Sequence, residues 1–272
     1  MNISPKVSII MGVYNCESTV AESIESILNQ TYTNWELIIR DDCSTDNTYE
    51  IVKAYADKYP EKIKFKKNKQ NITLAPTLNK CLSDVSGKYI ARQDGDDLSH
   101  KDRLKEQVEF LENNPNIDLV GTNMVSFDEN GEKGIHKSVP YPTKKDYIKH
   151  CAIFSHATIL VKSDVMKDLN GYCEEWYAVQ AEDCELWSRF IEKGYVGHNM
   201  DCNLYYVRED NNTYKRKNIK RRLRGIVLLI KVFKRLRVPL YSYLYVFKDI
   251  IAIFIPKKVF IQYYRKRMKN IT

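Results

Sequence analysis

The stretch Gly87-Lys-Tyr-Ile-Ala-Arg-Gln-Asp-Gly-Asp-Asp97 runs a short apolar strand directly into three carboxylates, those of Asp94, Asp96 and Asp97. Like charges this close repel and raise one another's pKa, so the cluster is stable as anions mainly when a cation lies between them. A hard divalent ion such as magnesium or manganese is the natural candidate, because it prefers oxygen ligands. The alternative is a surface turn closed by three aspartates, with Gly95 supplying the turn conformation.

Upstream of this stretch, strand and helix patterns alternate with short connections. Val7–Val13 is nearly continuous apolar and β-branched, which is typical of a strand buried on both faces of a parallel sheet. Further strands are predicted at 35–40, at 63–65 and after residue 88, and the intervening helices end near residues 29, 59 and 85. These alternations predict an α/β fold with a mostly parallel central sheet, right-handed crossovers and helices on both faces.

Two groups of acids fall where predicted strands end. Asp41 and Asp42 follow the second strand, and Asp94, Asp96 and Asp97 follow the fourth. Ligands of open α/β sheets bind at the carboxyl ends of the strands. This coincidence favours a binding site over a surface turn.

The second half of the chain predicts a mixture of elements. The helix at 181–192 carries Glu182 and Asp183 at its N-terminus and is ended by Gly194. Acids in a first helical turn are ordinary helix chemistry unless neighbouring sites give them a role. The other elements are a helix at 101–113 capped by Ser99, a strand at 119–127, a hairpin turn at 128–131, a mobile polar loop at 132–149 and a strand at 150–161 containing His156.

The cysteines and the hydropathy pattern indicate a cytoplasmic protein. Seven cysteines are scattered without a Cys-x-x-Cys pair, which is typical of reduced thiols rather than of a zinc site. The N-terminus has no signal-peptide pattern. No run reaches the roughly 18 apolar residues of a spanning helix.

Four segments of the chain form an ordered set: VSIIMGVYN at 7–15, DDCSTD at 41–46, DGDD at 94–97 and AEDCELW at 181–187. In order and spacing they resemble the motifs of the family 2 inverting glycosyltransferases of GT-A fold, of the type that builds bacterial surface glycans. The resemblance covers about residues 5–207. Residues 1–213 are therefore predicted to form a GT-A catalytic domain.

The resemblance implies a nucleotide-diphosphate sugar as donor, with UDP as the nucleotide. Its base and ribose would be held by Gly12, Val13, Tyr14 and Asp42, with Asp41 beside them. A carboxylate suits this place because ribose hydroxyls and a uracil N–H are hydrogen-bond donors. The alternatives are a helix cap for Asp42 and core packing for Tyr14.

The resemblance also implies a metal and a general base. Manganese or magnesium would be bound by Asp96 and Asp94, with Gly95 beside the donor, and would neutralise the charge on the departing nucleoside diphosphate. Asp183, next to Glu182, would take the proton from the acceptor hydroxyl on the side opposite the leaving group. Burial is expected to raise the pKa of Asp183, whereas the helix N-terminus keeps it ionised.

Two further features bear on the substrate. Family members often carry a polar residue where His156 lies, near the acceptor or the diphosphate, but a lone histidine is more often structural. The Gln-x-x-Arg-Trp motif of processive members is absent. The sequence thus predicts transfer of one hexosyl or N-acetylhexosaminyl unit to a glycan or lipid-linked acceptor.

The basic tail, residues 214–272, differs in charge from the rest of the chain. It has 18 Lys or Arg and one acid, against 25 and 34 in residues 1–213. Apolar residues at helical spacing between 223 and 233 predict a basic amphipathic helix. We expect this tail to dock on anionic lipid at the inner face of the plasma membrane. The alternative is a helical cap packed on the catalytic domain.

Two other functions share single features of this sequence. A sugar nucleotidyltransferase shares the alternating architecture, but it should carry a basic Gly-rich segment early in the chain, and 7–15 has none. A nucleic-acid-binding protein could use the basic tail, but this leaves the aligned carboxylates unexplained and no nucleic-acid-binding motif is present. The sequence therefore predicts no nucleic-acid partner.

Overall fold

The computed structural model describes residues 4–209 and 219–246. The first half of the chain builds parallel strands that lie side by side, with the first strand between the second and the fourth. This arrangement confirms the α/β sheet predicted from the alternating pattern. These strands are β1 (Val7–Val13), β2 (Trp35–Asp41), β3 (Ile63–Lys67) and β4 (Tyr89–Arg92).

Helices cover both faces of this sheet, because successive side chains of a strand point to opposite sides. In β1, Ile10 belongs to one hydrophobic core together with Leu78, whereas Ile9 and Met11 belong to a second core with Ile24. The continuous apolar run of β1 therefore reflects burial on both faces. The helices of this half are α1 (Val20–Leu28), α2 (Thr48–Lys58), α3 (Leu74–Leu82) and α4 (Arg103–Asn113).

The second half extends the sheet with strands of both directions. The sheet continues from β4 through an antiparallel strand at 160–162 to two long strands that are parallel to each other. The predicted hairpin at 128–131 is confirmed. The strands are β5 (Leu98–Ser99), β6 (Leu119–Asp128), β7 (Gly131–His136), β8 (Leu160–Lys162) and β9 (Gly197–Arg208), and the helices are α5 (Lys144–Lys149), α6 (Ser163–Asp168) and α7 (Glu182–Glu192).

The predicted strand at 150–161 is wrong for most of its length. Only Leu160–Lys162 is a strand, and His156–Thr158 forms a 3₁₀ turn. The apolar residues here are buried, but side chains rather than a strand ladder satisfy their carbonyls: Trp187 Nε1 donates to Phe154 O (3.2 Å).

Smaller corrections concern a loop and a helix cap. The segment predicted as a mobile loop at 132–149 contains β7 and α5. Ser99 lies in β5, and Asp102 occupies the N-cap position of α4.

The tail helix predicted between 223 and 233 is confirmed as α8 (Ile219–Arg235). Leu228, Val232 and Phe233 are buried in the core that contains α7. Each such side chain contributes roughly 1.5–3 kcal/mol on burial, so the helix is firmly attached. Arg235 adds an ion pair to the buried Glu185 of α7 (2.7 Å).

The described part of the tail is thus integrated with the first 209 residues. Residues 247–272 of the tail lie outside the described residues. Within 4–209 and 219–246, none of the helices combines the length and the apolar character that crossing a membrane requires.

Candidate active site

Two clefts adjoin at the carboxyl ends of the first strands. The β1 cleft, about 500 Å³, contains Gly12, Val13, Tyr14 and Asp42. The α7 cavity, about 470 Å³, contains Arg92, Asp94, His156, Glu182 and Asp183. Val179, Gln180, Glu182 and Arg221 line both. The structure therefore brings the predicted donor residues and the predicted base to two sides of one junction.

Asp42 holds a loop of the β1 cleft in place. Its carboxylate accepts hydrogen bonds from Asn68 Nδ2, Ile72 N and Thr73 N, all at 2.9 Å. The amides at 72 and 73 precede α3, so Asp42 connects the end of β2 to the start of that helix. This buried carboxylate lines the cleft and also organises its wall.

Asp41 and Tyr14 differ in their access to this cleft. Asp41 is fully buried and accepts from Ser44 N (3.0 Å) and Ser44 Oγ, and it is not among the residues lining the cleft. Its place indicates a turn-stabilising role. Tyr14 leaves 49% of its surface exposed and lines the cleft, so the core-packing alternative for this residue is wrong.

The three acids at 94, 96 and 97 lie in three different environments. Asp94 accepts from both terminal nitrogens of the buried Arg92. Asp97 is buried and accepts from Arg208 N (2.8 Å), and burial followed by the charges of Asp94 and Asp96 raises its pKa to about 8. The side chain of Asp96 is exposed at the tip of the turn. Arg92 thus offsets the charge of Asp94, whereas the repulsion expected from the sequence remains visible in the raised pKa of Asp97.

Gly95 is required by close packing rather than by a left-handed turn. A Cβ at this position would lie 3.0 Å from both Cys16 Sγ and Val13 Cγ1. Its carbonyl accepts from Thr19 Oγ1 (3.0 Å), which ties the acidic turn to the start of α1. Any side chain at 95 would push this turn away from the end of β1.

Glu182 and Asp183 occupy the first turn of α7, and both line the α7 cavity. Asp183 Oδ1 accepts from Cys184 N (2.8 Å), which fixes one carboxylate oxygen at the helix N-terminus. Burial raises the pKa of Asp183 and of Glu182 above the ordinary range, and the helix amides and Arg92 oppose the shift at Asp183. A part-buried carboxylate with a raised pKa is a stronger base than a solvated one.

His156 belongs to the α7 cavity and not to the β1 cleft. Its Nε2 lies 2.8 Å from the Tyr172 hydroxyl. Burial, followed by the nearby Arg92 charge, lowers the pKa of His156 well below its ordinary value, so the imidazole is neutral. A neutral ring can position a substrate hydroxyl but adds no positive charge to the site.

Arg103 is a structural residue of the site that the sequence did not reveal. Its fully buried guanidinium donates to Arg92 O (2.9 Å), Ala157 O (3.1 Å) and Ile159 O (3.2 Å), and to Ser99 Oγ (2.9 Å). It therefore joins the end of β4 to the turn that carries His156. An arginine in the first turn of an amphipathic helix gives no local signal of this role.

Arg221, Arg224 and Gly225 of α8 were also missed as site residues. They line the α7 cavity, although they belong to the tail that the sequence separated from the catalytic domain. Only the packing of α8 onto α7 brings them there.

The fold and the two clefts define an α/β enzyme of the GT-A class. The mannosyltransferase PcManGT of Pyrobaculum calidifontis, solved with GDP-Man and Mn²⁺, superposes with a TM-score of 0.65 at 19% identity, covering 94% of this chain and 72% of that one. This likeness confirms the GT-A fold.

The family follows from the sequence comparisons. The family model described as Glycosyl transferase family 2 matches residues 8–166. The chain therefore belongs to glycosyl transferase family 2 and is a glycosyltransferase. The resemblance found in the four motifs is confirmed at the level of the family.

Two curated relatives extend beyond the family region. EpsE of Bacillus subtilis (strain 168) is 46% identical over 272 residues, covering 99% of this chain and 97% of EpsE. The UDP-Glc:alpha-D-GlcNAc-diphosphoundecaprenol beta-1,3-glucosyltransferase WfaP of Escherichia coli is 31% identical over 201 residues, covering 74% of this chain and 76% of WfaP. The similarity to EpsE includes the basic tail.

Proposed function

We propose that this enzyme transfers one hexosyl or N-acetylhexosaminyl unit, with inversion, from a UDP-linked sugar to a hydroxyl of a glycan or lipid-linked acceptor in bacterial surface-glycan synthesis. The observation that carries the proposal is the shared lining of the two clefts. Asp183 faces the same cavity as Asp94, and Glu182 lines that cavity and the β1 cleft. A donor in the β1 cleft would thus present its sugar at the junction.

The β1 cleft suits the nucleotide. Asp42 and the exposed Tyr14 offer a carboxylate and an aromatic face, and Gly12 and Val13 bring bare backbone to the cleft. The name of WfaP specifies UDP-Glc and a diphosphoundecaprenol-linked acceptor for that relative. This supports a UDP-linked donor and a lipid-linked acceptor for the present enzyme. Family membership favours sugar transfer over the nucleotidyltransferase alternative.

Asp183 would act as the base. Asp183 lines the α7 cavity, and one of its carboxylate oxygens accepts from Cys184 N. Asp183 would accept the proton of the acceptor hydroxyl as the hydroxyl oxygen attacks the anomeric carbon. Glu182 would contact the transferred sugar. Neutral His156 would orient the acceptor from the opposite wall.

The carboxylates at 94–97 suit a divalent metal such as manganese or magnesium, which a protein can bind with only one or two of its own ligands. Among the described residues, no group of three or more His, Cys, Asp or Glu is placed to hold a metal by itself. Asp96 is exposed at the turn and would be the direct ligand, while Asp94, held by Arg92, would support it; the donor diphosphate would complete the shell. Manganese or magnesium would neutralise the departing diphosphate.

Asp96→Asn tests the metal and the donor together. We expect UDP to raise the melting temperature of the wild-type protein more with Mn²⁺ than without it, and Asp96→Asn to lose that metal-dependent part. Asp42→Ala should instead lower UDP affinity both with and without metal, because it acts on the nucleotide end. An unchanged manganese effect in Asp96→Asn would contradict the metal assignment.

The protein would work at the inner face of the plasma membrane. Beyond α8, the segment from Leu240 to Tyr245 has a group of exposed apolar side chains. The exposed fraction is 87% for Leu240, 72% for Tyr241 and 67% for Leu244. Exposed apolar residues next to basic ones are typical of an interfacial anchor. This segment, and not the buried face of α8, is our candidate for lipid contact.

Vesicle flotation tests the membrane proposal. We expect binding to phosphatidylglycerol vesicles that is weaker on phosphatidylcholine, and a loss of at least fivefold in the triple variant Leu240→Ser, Tyr241→Ser, Leu244→Ser. Ile135→Ser, which changes an exposed apolar residue of β7, is the matched control. Truncation before α8 is unsuitable, since it would expose the core. Equal flotation of the triple variant and wild type would refute the proposal.

A further inference from the structure

Arg224 stands out among the residues of the α7 cavity. It is half-buried in the helix α8 and lines the cavity. Among the residues that the structure describes, no hydrogen bond or ion pair engages its guanidinium. A charged side chain that loses water without gaining a partner is unfavourable. Its position therefore favours a ligand that supplies the missing anion.

The cavity has opposite charges on two sides. Asp94 is paired with Arg92, which leaves Glu182 and Asp183 as the acids of the α7 side. On the α8 side lie Arg224 and Arg221, the latter also lining the β1 cleft. A ligand with a hydroxyl at one end and an anion at the other would match this distribution.

Gly225 keeps the α8 side of the cavity open. It lies within the helix and lines the cavity, and a Cβ built there would meet no atom within 4 Å. Glycine inside a helix lowers helix stability relative to alanine. No packing constraint explains it here, so close approach of a ligand to the helix backbone is the physical reason that remains.

We propose that Arg224 and the bare backbone at Gly225 form a subsite for the phosphate or diphosphate ester group of the acceptor, with Arg221 placed between acceptor and donor. The inference rests on the proposed function for the statement that the α7 cavity takes the acceptor. A guanidinium binds phosphate oxygens in a bidentate manner. The adjacent Leu223 exposes 49% of its surface and offers apolar contact to a chain attached to that phosphate.

The subsite assigns a substrate class. The acceptor is a sugar whose hydroxyl reaches Asp183 while an esterified phosphate on the same molecule reaches Arg224. A volume of about 470 Å³ lies within the range of roughly 300–1,000 Å³ for ligand pockets. A neutral glycan would leave the half-buried guanidinium without an anion, so it should be a poor acceptor.

Calorimetric titration with octyl diphosphate, in the presence of saturating UDP, tests the subsite without turnover. We expect Arg224→Ala to weaken octyl diphosphate binding at least tenfold and UDP binding less than twofold. Arg221→Ala should weaken the binding of octyl diphosphate and of UDP, because Arg221 lines both clefts. Gly225→Leu should weaken the binding of octyl diphosphate, although it does not change the charge of the subsite. Arg222→Ala, in the same helix but outside both cavities, is the matched control and should change neither more than twofold.

Two additional ligands identify the source of the anion. Inorganic pyrophosphate should bind at least tenfold more weakly than octyl diphosphate, and octyl glucoside should bind wild type and Arg224→Ala equally. Pyrophosphate binding as tight as that of octyl diphosphate, or equal losses in Arg224→Ala and Arg222→Ala, would overturn the assignment. If UDP fails to bind while octyl diphosphate binding depends on Arg224, the proposed function fails and the anion subsite stands.

Discussion

Asp183→Asn should lower the turnover of sugar transfer by about 10² to 10⁴-fold, the usual contribution of a general base, while UDP affinity changes less than twofold. The amide is nearly isosteric and can still accept from Cys184 N, so the local structure should persist. It cannot take a proton from the acceptor hydroxyl. Initial rates with a saturating donor, together with UDP titration, measure the two quantities separately.

The pH dependence gives this prediction a second readout. Burial raises the pKa of Asp183, so the carboxylate becomes protonated at a higher pH than a solvated aspartate. The ionised form is the active one, and kcat/KM should therefore fall tenfold per pH unit below that raised pKa. Asp57→Asn, an exposed aspartate of α2, is the control and should retain full activity. Turnover within tenfold of wild type in Asp183→Asn would remove the base assignment.

Arg103→Met should lower the free energy of unfolding by at least about 2 kcal/mol. The substitution removes the guanidinium donors to the buried carbonyls of Arg92, Ala157 and Ile159. Ile159 O keeps a longer hydrogen bond from Arg92 N (3.4 Å). The carbonyls of Arg92 and Ala157 lose this donor, and an unsatisfied buried group costs about 1–3 kcal/mol. Removing a buried charge recovers some desolvation free energy, since burial lowers the pKa of Arg103 to about 10. The loss of the donors to two buried carbonyls outweighs that gain.

Urea denaturation measures this effect, with two comparisons. Lys105→Met makes the same kind of change at an exposed position of α4 and should alter stability by less than about 0.5 kcal/mol. Arg103→Lys keeps the charge but loses the planar fork, so its stability should lie between wild type and Arg103→Met. A loss below about 1 kcal/mol in Arg103→Met would show that water or rearranged side chains satisfy these carbonyls.

Several parts of the site could be predicted from the sequence because they depend on local pattern. A strand buried on both faces has a nearly continuous apolar run, and acids that directly follow such a run lie at its carboxyl end. Asp42 and Asp94 were located in this way, and both line the clefts. The helix beginning at 182 was equally visible, from its apolar spacing and from Gly194 in the left-handed conformation at its end.

The segment at 150–161 shows why other parts could not be predicted. Its apolar residues read as a strand, but their carbonyl partners lie far away in sequence: Trp187 for Phe154 and Asn199 for Ile153. Local pattern contains no information about such partners. The same limitation applies to the three acids, because their spacing in the sequence gave no indication that the buried Arg92 pairs with Asp94.

The sequence by itself determined the α/β alternation, the strand ends at which acids collect, the acid pair that begins α7 and the helical character of residues 219–235. Each of these depends on the spacing of side chains along one element. Only the tertiary structure decided which side of α8 is buried, with Phe233 inside and Leu223 outside, and hence that Arg224 lines a cavity with Asp183. The physical reason is that burial and charge pairing arise between elements distant in the chain, where the geometry of packing determines which groups meet.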